Sequence, residues 1–349
     1  MPSTRRRLNL EDIAQKAGVS RSTVSRVINN DPNVHQQTRS HVLAIIEREN
    51  YSPNLAARSM VTNRTQVIGV IIPHELHTVF IDPHYFPSLL QGVSIAVHRR
   101  DYAMLLYLRQ TGEDQEIFFR KILGNGLMDG LIIASASLTG TLLSDLISRR
   151  VKFVMVEKPD QFEDQISYVT IDNIAASREV VQHLFDTGRR RIGIITGSLD
   201  NMDGRERLIG FREGLAQVGL QFDERLVVEG DFSRKTAYAL AERLIIQNVD
   251  AIYACNDIMA QGAYEAIYER GLRIPEDIAV VGFDNLATAT EIKPGLTTVH
   301  QPIEQKGEVA TELLLDLIEA ETAQPKEVVL PTQLIIRNST LPRSMSMDL

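Results

Sequence analysis

Cysteine and long apolar runs are what this sequence lacks. Its one cysteine, Cys255, excludes an internal disulfide framework and is typical of a reducing compartment. No apolar run reaches the ~18 residues that a membrane span requires, and Arg5-Arg6-Arg7 does not precede the apolar core of a signal peptide. We therefore expect a cytoplasmic protein without a membrane-embedded part.

The charge of the chain is unevenly distributed. Hydrophobic residues make up 44% and charged residues 23% of the 349 positions, which predicts a globular protein of two or three domains. Residues 1–64 carry ten Lys or Arg against five Asp or Glu, whereas the remainder carries 27 against 40. A basic head on an acidic body is typical of a DNA-binding module joined to a sensor domain.

The segment 9–29, NLEDIAQKAGVSRSTVSRVIN, contains two short helical patterns. Apolar residues recur at helical spacing in both: Leu10, Ile13, Ala14 and Ala17, then Val24, Val27 and Ile28. Gly18 is suited to end the first helix in a left-handed conformation, and Ser20 is suited to cap the second. The pattern predicts a helix-turn-helix, completed by a third helix over 36–49; a generic helical hairpin is the alternative.

The second of these helices offers polar side chains to solvent, and such a helix fits the major groove of DNA. We expect base contacts from Arg21, Ser22 and Arg26, because Arg binds a guanine edge with two hydrogen bonds and Ser serves either base or phosphate. The expected contacts to the DNA backbone are Leu10, Ser20, Thr23, Ser25, Asn29, Thr38 and Asn54.

Residues 51–60, YSPNLAARSM, form a further short helical pattern in which Pro53 suits the first turn. About eight residues are too few for a helix that is stable alone in water. We expect this hinge to be helical only when docked on DNA and on a second copy of the chain. A plain linker is the alternative.

From Val67 onward, short β-branched runs alternate with helical patterns. The candidate strands are 67–72, 103–108, 130–134, 152–156, 168–171, 191–195, 226–229, 251–254, 278–283 and 298–300. Apolar strands separated by helices predict parallel sheets that are covered on both faces. Ten strands fall into two runs of about five, with a junction near Lys158–Ser167, where polar residues and Pro cluster.

Motifs along the chain resemble those of the lactose/galactose repressor family of bacterial transcription regulators. They are Ala17–Ser20 with Thr23–Val27, Tyr51–Asn54 with Ala57–Ser59, Ile68–Val70, Val169–Asn173, Arg207–Phe211, Ala254–Asp257 and Val280–Asp284. The match extends from Leu10 to Thr340. Two departures are His35, where the family caps the third helix with a small hydroxyl residue, and a segment between Pro73 and Gly92 about six residues longer than usual.

The resemblance implies an α/β fold: an N-terminal three-helix helix-turn-helix domain and a hinge helix, then a two-lobed, periplasmic-binding-protein-like core of doubly wound parallel sheets with three crossovers. The implied boundaries are 1–52 for the DNA-binding domain, 53–65 for the hinge, 66–340 for the core and 341–349 for the tail. Within the core, the N-lobe takes 66–160 and 297–322, and the C-lobe takes 165–290 and 326–340, with a final strand over 328–337. Ala57 and Met60 of the hinge are expected in the minor groove, with Met60 at the position of the family's wedge leucine.

Ligands of open parallel sheets bind beyond the carboxyl ends of the strands, and Glu157, Asp172, Asn256 and Asp284 stand just past such ends. Carboxylates, an amide and Arg207 suit a neutral polyol. By resemblance, Arg207, Asn256 and Asp284 are effector contacts, with Asp203 and Phe232 lining the pocket. A helix N-cap is the alternative for each acid, most of all for Asp172 and Asp257.

The longer segment 73–92 contains His74, His77 and His84 together with Glu75 and Asp82. A metal site is one interpretation, but the spacing fits no helical ligand pair. We prefer a longer lip over the effector cleft, in which Tyr85 and Phe86 are stacking walls, and we predict neither a metal nor a cofactor.

The function that these features favour is sequence-specific DNA binding by a transcriptional repressor, controlled by a sugar in the interlobe cleft. One module makes few contacts, so we expect a homodimer on a palindromic operator. The family's tetrameric members carry a C-terminal leucine heptad helix, and the tail after Thr340, LPRSMSMDL, predicts that assembly stops at the dimer. Two alternatives remain: control by a phosphorylated protein partner, and an α/β enzyme using Glu157 and Asp284. The enzyme lacks support from any Gly-rich phosphate loop or Gly-x-Ser-x-Gly elbow.

Overall fold

The computed structural model describes residues 8–28, 31–49, 51, 64–72, 85–108, 117, 119–120, 126–134, 140–320 and 324–341. The chain divides into two compact units, Met1–Gln66 and Val67–Leu349. Within the described ranges, no helix has both the length and the apolar character needed to cross a membrane.

The described part of the first unit contains three helices: α1 (Leu10–Ala17), α2 (Arg21–Ile28) and α3 (Gln36–Arg48). Asn9 caps α1 in a reciprocal capping box with Asp12. Gly18 ends α1 with φ +63°, and the hydroxyl of Ser20 accepts a hydrogen bond from the N–H of Thr23 at 3.1 Å. The predicted roles of Gly18 and Ser20 are therefore confirmed. His35 does cap α3, because its Nδ1 accepts a hydrogen bond from the N–H of Gln37 at 3.4 Å.

The apolar faces of these helices meet in one small core. Its buried members are Ile13, Ala14, Ala17, Val24, Val27, Val42, Ile45 and Tyr51. Leu10, Ile28 and Ile46 pack against its margin. The helical spacing of the apolar residues thus buries one face of each helix and leaves the opposite face of α2 polar and exposed.

The second unit holds two six-stranded sheets with helices on their faces. Its strands are β1 (Val67–Ile72), β2 (Ala103–Leu108), β3 (Gly130–Ala134), β4 (Phe153–Val156), β5 (Ser167–Ile171), β6 (Ile192–Thr196), β7 (Val227–Glu229), β8 (Ala251–Ala254), β9 (Ala279–Asp284), β10 (Thr297–His300), β11 (Glu327–Leu330) and β12 (Gln333–Ile335). Its helices are α4 (Tyr85–Arg99), α5 (Gly140–Ser148), α6 (Asn173–Asp186), α7 (Met202–Gln217), α8 (Arg234–Ile246), α9 (Asp257–Glu269), α10 (Thr288–Glu291) and α11 (Ile303–Glu319).

The strand order is β11-β5-β4-β3-β1-β2 in the first sheet and β12-β10-β9-β8-β6-β7 in the second. Every described strand pair is parallel except β10 with β12. The chain passes between the two lobes after β5, between β10 and α11, and between β11 and β12. This arrangement confirms the predicted fold class of two parallel-dominated α/β lobes behind a helix-turn-helix unit.

Three stretches lie in a different lobe from the one that the sequence predicts. β5 pairs with β4 in the first sheet, so the polar stretch 158–166 is a loop with a one-turn 3₁₀ helix and not the lobe junction. β10 pairs with β9 in the second sheet, and only α11 after it returns to the first lobe. The single strand expected over 328–337 is two strands in different sheets, because Pro331 lacks the N–H that would continue β11.

Helices α4 and α11 cross closely in the first lobe because each carries a glycine at the contact. A Cβ on Gly92 would overlap the carbonyl oxygen of Glu304, and a Cβ on Gly307 would overlap that of Leu89. Ion pairs link the same helices beyond the crossing: Arg99 with Glu308 at 3.1 Å, and Arg100 with Glu312 and Glu319 at 2.8 Å each. The return of the chain to the first lobe through α11 therefore depends on small residues at this crossing.

We expect Gly92→Ala to destabilise the second unit by about 1–3 kcal/mol, because the added methyl group forces the two backbones apart. The substitution would otherwise favour a helix by about 1 kcal/mol. Urea unfolding should show this loss, whereas Gln91→Ala, at the exposed neighbouring position, should leave the midpoint nearly unchanged. An unchanged midpoint for Gly92→Ala would contradict the close crossing.

Candidate nucleic-acid interface and ligand cleft

Helix α2 presents a cationic and hydroxyl-bearing face to solvent. The side chains of Arg21 and Arg26 are 71% and 64% exposed, and Ser22 is exposed as well. The opposite side of the helix is fixed by Val24, which is fully buried, and by Val27. The three residues predicted to contact bases therefore lie together on the face of α2 that points away from the hydrophobic core of the first unit.

The polar groups of this face contact each other and two nearby carboxylates. The hydroxyl of Ser20 lies 2.7 Å from that of Ser22 and 2.8 Å from that of Thr23. Arg21 lies 4.0 Å from Glu11, and Arg26 lies 3.9 Å from Asp31. Exposed ion pairs at such distances contribute about 0–1 kcal/mol, so exchanging them for DNA phosphates and bases costs little.

The remaining predicted DNA contacts fall into two groups. Leu10 begins α1, where the N–H groups of the first turn have no partner within the helix, and Thr38 is half-buried in the first turn of α3. Ser25 is half-buried on α2. Asn29, Asn54, Ala57 and Met60 lie outside the described residues.

The ligand cleft of the second unit is marked by unusual backbone conformations. Glu157 directly follows β4 with φ +96°, Asp284 ends β9 with φ +103°, and Phe232 has φ +65°. A positive φ is uncommon outside glycine and clusters at functional sites, because the backbone strain must be held by surrounding contacts. All three residues are among those that the sequence predicts to line the effector pocket. The ring of Phe232 lies where a side chain on Gly197 would stand, just past the end of β6.

Arg207 on α7 is the centre of the polar cluster and is only 2% exposed. Its Nε donates a hydrogen bond to Oδ1 of Asn173 at 2.9 Å, and one Nη donates to Oδ2 of Asp203 at 3.2 Å. The other Nη donates to the carbonyl oxygen of Cys255 and lies 4.0 Å from Oδ1 of Asp284. Burial opposes its charge, but the carboxylates of Asp203 and Asp284 outweigh burial and raise the pKa of Arg207 above its ordinary value.

Asn173, at the start of α6, connects this arginine to two carboxylates. Its Nδ2 donates to Asp203 at 3.0 Å and to Glu206 at 3.1 Å. Burial raises the pKa of Glu206, and the nearby charge of Asp203 acts in the same direction. The sequence suggests neither Asn173 nor Glu206 as a site residue, because only their contacts with Asp203 and Arg207 give them a role.

Glu157 joins the two lobes across the cleft. Its carboxylate accepts hydrogen bonds from the hydroxyl of Tyr85 at 3.5 Å and from Nδ2 of Asn201 at 3.3 Å. Glu157 and Tyr85 belong to the first lobe, whereas Asn201 caps α7 of the second. Burial raises the pKa of Tyr85 well above its ordinary value, and the charges of Glu157, Asp203 and Asp284 add to the effect. The carboxylates of both lobes therefore face one tyrosine.

Two buried polar atoms lie where the chain re-enters the first lobe. Nε2 of Gln301 donates to Asp284 at 2.5 Å, while its Oε1 has no hydrogen-bond partner among the described residues. Nζ of Lys306, fully buried in α11, likewise has none within the described ranges. An unsatisfied buried polar group costs about 1–3 kcal/mol, which favours positions that a ligand completes. Of the two, Gln301 directly contacts a predicted effector residue.

Two of the predicted cleft residues, Phe86 and Asn256, have structural partners. Phe86 packs in the hydrophobic core and is not a wall of the cleft; its ring meets that of Tyr85 edge-on at 5.3 Å. Asn256 caps α9 by accepting from the N–H of Met259 at 2.7 Å, and its Nδ2 donates to the carbonyl oxygen of Phe232 at 3.2 Å.

The two acids with an expected capping role also have structural partners. Asp172 caps α6 by accepting from the N–H of Ala175 at 2.7 Å, so its N-cap alternative is correct. Asp257 is fully buried and neither caps its helix nor faces the cleft. It accepts hydrogen bonds from the hydroxyl of Thr298 at 2.6 Å and from the N–H of Leu286 at 2.7 Å. Burial raises the pKa of Asp257 well above its ordinary value.

The residues that suggested a metal site, His74, His77 and His84 with Glu75 and Asp82, all lie outside the described residues. Among the residues that are described, no three His, Cys, Asp or Glu side chains group in a way that could hold a metal ion.

Comparison with known proteins places these features in one family. The model of bacterial regulatory proteins of the lacI family matches residues 9–54, and that of the periplasmic binding protein-like domain matches residues 181–340. The HTH-type transcriptional regulator CelR of Thermobifida fusca is 38% identical over 338 residues, which cover 96% of this chain and 99% of that protein.

Two solved structures extend this similarity to the fold. A transcriptional regulator CelR–cellobiose complex has a TM-score of 0.76 at 35% identity, covering 95% of this chain and 100% of that one. The lac repressor dimer bound to operator and the anti-inducer ONPF has a TM-score of 0.82 at 26% identity, covering 97% and 100%. The helix-turn-helix, the two-lobed core and the sequence similarity all point to one family. The chain therefore belongs to the lacI family of bacterial transcriptional regulators.

Proposed function

We propose that this regulator is a repressor that binds a palindromic operator as a homodimer and is controlled by a neutral sugar between its lobes. The observation that carries the ligand assignment is the buried cluster of Arg207 with Glu157, Asp203 and Asp284, to which both lobes contribute. The CelR relative was solved with cellobiose, which makes cellobiose the first ligand to test.

The charges of the cleft favour a neutral ligand. Asp203 and Asp284 lie beside the guanidinium of Arg207, and Glu157 adds a third carboxylate to the cleft. The guanidinium already donates to Asn173, Asp203 and the carbonyl of Cys255. A carboxylate oxygen accepts more than one hydrogen bond, so this wall offers acceptors to a ligand rich in donors. Sugar hydroxyls supply such donors. A phosphorylated or acidic ligand would bring its negative charge against carboxylates in a site of low dielectric constant.

The alternative controlling signal is a phosphoprotein partner, and the surface of α11 offers little evidence for such a partner. A groove of about 980 Å³ runs along this helix. The carboxylates on its α11 side are Glu304, Glu308, Glu312 and Asp316. Arg99 and Lys326 also line this groove, but carboxylates outnumber these two cations among its described lining residues, which disfavours a phosphate group.

Ligand binding would reach the DNA through the angle between the lobes. Asn201 with Glu157 connects the lobes at the cleft, and the lobes would turn about the three crossings of the chain. A turn would move the segment 53–65 of one subunit relative to that of its twin. Because that segment is too short to be helical alone, its folding on the operator would depend on this spacing.

We expect cellobiose, within a panel of neutral sugars, to raise the melting temperature of the full chain, since a ligand at about 100 times its Kd adds about 2.7 kcal/mol to stability. Asp284→Asn should weaken sugar binding at least about tenfold, a loss of about 1.4 kcal/mol. Asp172→Asn, which alters only the exposed cap of α6, is the matched control. Stabilisation by cellobionate or sugar phosphates and by no neutral sugar would refute the assignment.

For base readout, we expect Arg26→Ala to cost about 1–3 kcal/mol of affinity for a palindrome selected from a random pool by the wild-type chain, and to relax base preference there. Arg48→Ala removes an equally exposed arginine from α3 and should have a smaller, base-independent effect. Titrations at matched salt decide the matter; equal losses in the two variants would place Arg26 away from the bases.

For the hinge, Met60→Gly should weaken binding to the same palindrome while leaving the sugar affinity of the DNA-free protein unchanged. The reason is that glycine removes the apolar wedge and lowers the helix propensity of a segment that must fold on DNA. Met60→Leu keeps both properties and should bind like wild type. Equal operator affinity for all three proteins would show that residue 60 has no part in binding.

A further inference from the structure

Four cationic side chains gather at one edge of the first sheet, in a protein whose body is acidic. They are Arg120, Arg149, Arg150 and Lys152, and they line a groove of about 640 Å³ in which the one carboxylate among the described lining residues is that of Asp129. We call these four residues the basic edge. Beyond residue 64 the chain carries 40 Asp or Glu against 27 Lys or Arg, so a local excess of positive charge runs against the composition of this unit.

The position of the basic edge follows from strand direction. Lys152 directly precedes β4, and Asp129 directly precedes β3. Both strands are parallel to β1, so the groove lies at the amino ends of the strands, whereas Glu157 stands at the carboxyl end of β4. The basic edge is therefore on the opposite side of the sheet from the ligand cleft.

The same edge receives the chain from the DNA-binding unit. The N–H of Asp129 donates a hydrogen bond to the carbonyl oxygen of Val67 at 2.8 Å. Val67 is the first residue of the second unit and directly follows Gln66, the last residue of the first. A tether that starts at this edge keeps bound DNA at a high effective concentration around it.

Three cations of the basic edge form no ion pair within the described part of the protein. Arg120, Arg150 and Lys152 have no carboxylate partner there. The guanidinium of the fourth, Arg149, lies over the ring of Phe119, 4.6 Å from its centre. Arg149 and Arg150 follow the carboxyl end of α5, where a cation is favoured by the helix dipole. That preference does not explain Arg120 and Lys152, which come from other segments.

We propose that the basic edge binds the phosphates of double-stranded DNA flanking the operator. The proposal rests on operator binding by the first unit and adds to it an interaction from the sensor core. Arg and Lys bind phosphates without reading sequence, so this interaction contributes affinity and salt dependence but no base preference. The footprint on DNA then extends beyond the bases that α2 reads.

The test compares two variants of the full chain that lose the same charge. One replaces Arg120, Arg149, Arg150 and Lys152 by Gln. The control replaces Arg212, Lys235, Arg243 and Lys293, four cations of the second lobe, in the same way. Each is titrated over a range of salt against the selected palindrome, either as a site of about 20 bp or with about one further helical turn on each side.

On the longer DNA, we expect the basic-edge variant to bind at least about tenfold more weakly than wild type. Its salt slope should fall by about 0.9 for each phosphate that the variant no longer neutralises. On the short site, wild type and both variants should bind alike. The melting-temperature shift with cellobiose should be the same in all three proteins, which shows that the substitutions leave the core folded.

Equal losses of affinity in the two variants, or equal losses on both DNAs, would overturn the proposal, because either result reports net charge alone. Wild type that gains no affinity from the flanks would overturn it as well. Failure of wild type to bind the short site at all is a separate outcome; it would refute operator binding itself, and with it the interaction that depends on it.

Discussion

The cleft of this regulator depends on a buried guanidinium. Arg207 balances the charge of carboxylates that could not otherwise remain buried, and it also donates hydrogen bonds to Asn173 and to the carbonyl of Cys255. Removing one partner of such a group leaves an uncompensated buried charge and costs about 3–5 kcal/mol. The arginine therefore allows Asp203 and Asp284 to stand buried in the cleft. Under the proposed function, the oxygens of these two carboxylates would be acceptors for sugar hydroxyls.

The two ends of the central strands carry the proposed ligand cleft and the basic edge. Strand β4 spans only Phe153–Val156, about 13 Å at 3.3 Å per residue, yet it separates Lys152 of the basic edge from Glu157 of the cleft. If the lobes turn as proposed, such a sheet would move as a rigid body. A change at the carboxyl ends would then reach the amino ends, where Val67 begins the second unit. Coupling of this kind between two separate sites would make the regulator allosteric.

Features that depend on neighbouring residues, such as helix caps, were predicted from the sequence. Features that depend on residues far along the chain, such as the lobe to which a strand belongs, were not. Gly18 and Ser20 identified the turn between α1 and α2 because caps depend on neighbouring backbone. The apolar runs located β1–β10 closely, but their lobe depends on hydrogen-bond partners far along the chain, as β10 shows. Past a strand end, a carboxylate that caps a helix and one that faces a ligand look alike in sequence. Only the contacts in the structure distinguish Asp172, which caps a helix, from Asp284, which lies beside Arg207.

The sign of the charge differs between the cleft and the DNA-binding end of the chain, and each sign suits a different kind of ligand. The cleft is negative and favours neutral donors, while the first 64 residues carry a surplus of five positive charges for a polyanion. The acidic core repels DNA over most of its surface, which lowers adhesion to unrelated sequences without touching α2. Phosphate contacts that ignore sequence strengthen binding everywhere, so a core that was basic throughout would erode specificity. Confining positive charge to one small edge beside the tether limits that loss, because the edge meets DNA chiefly when the helix-turn-helix already holds it.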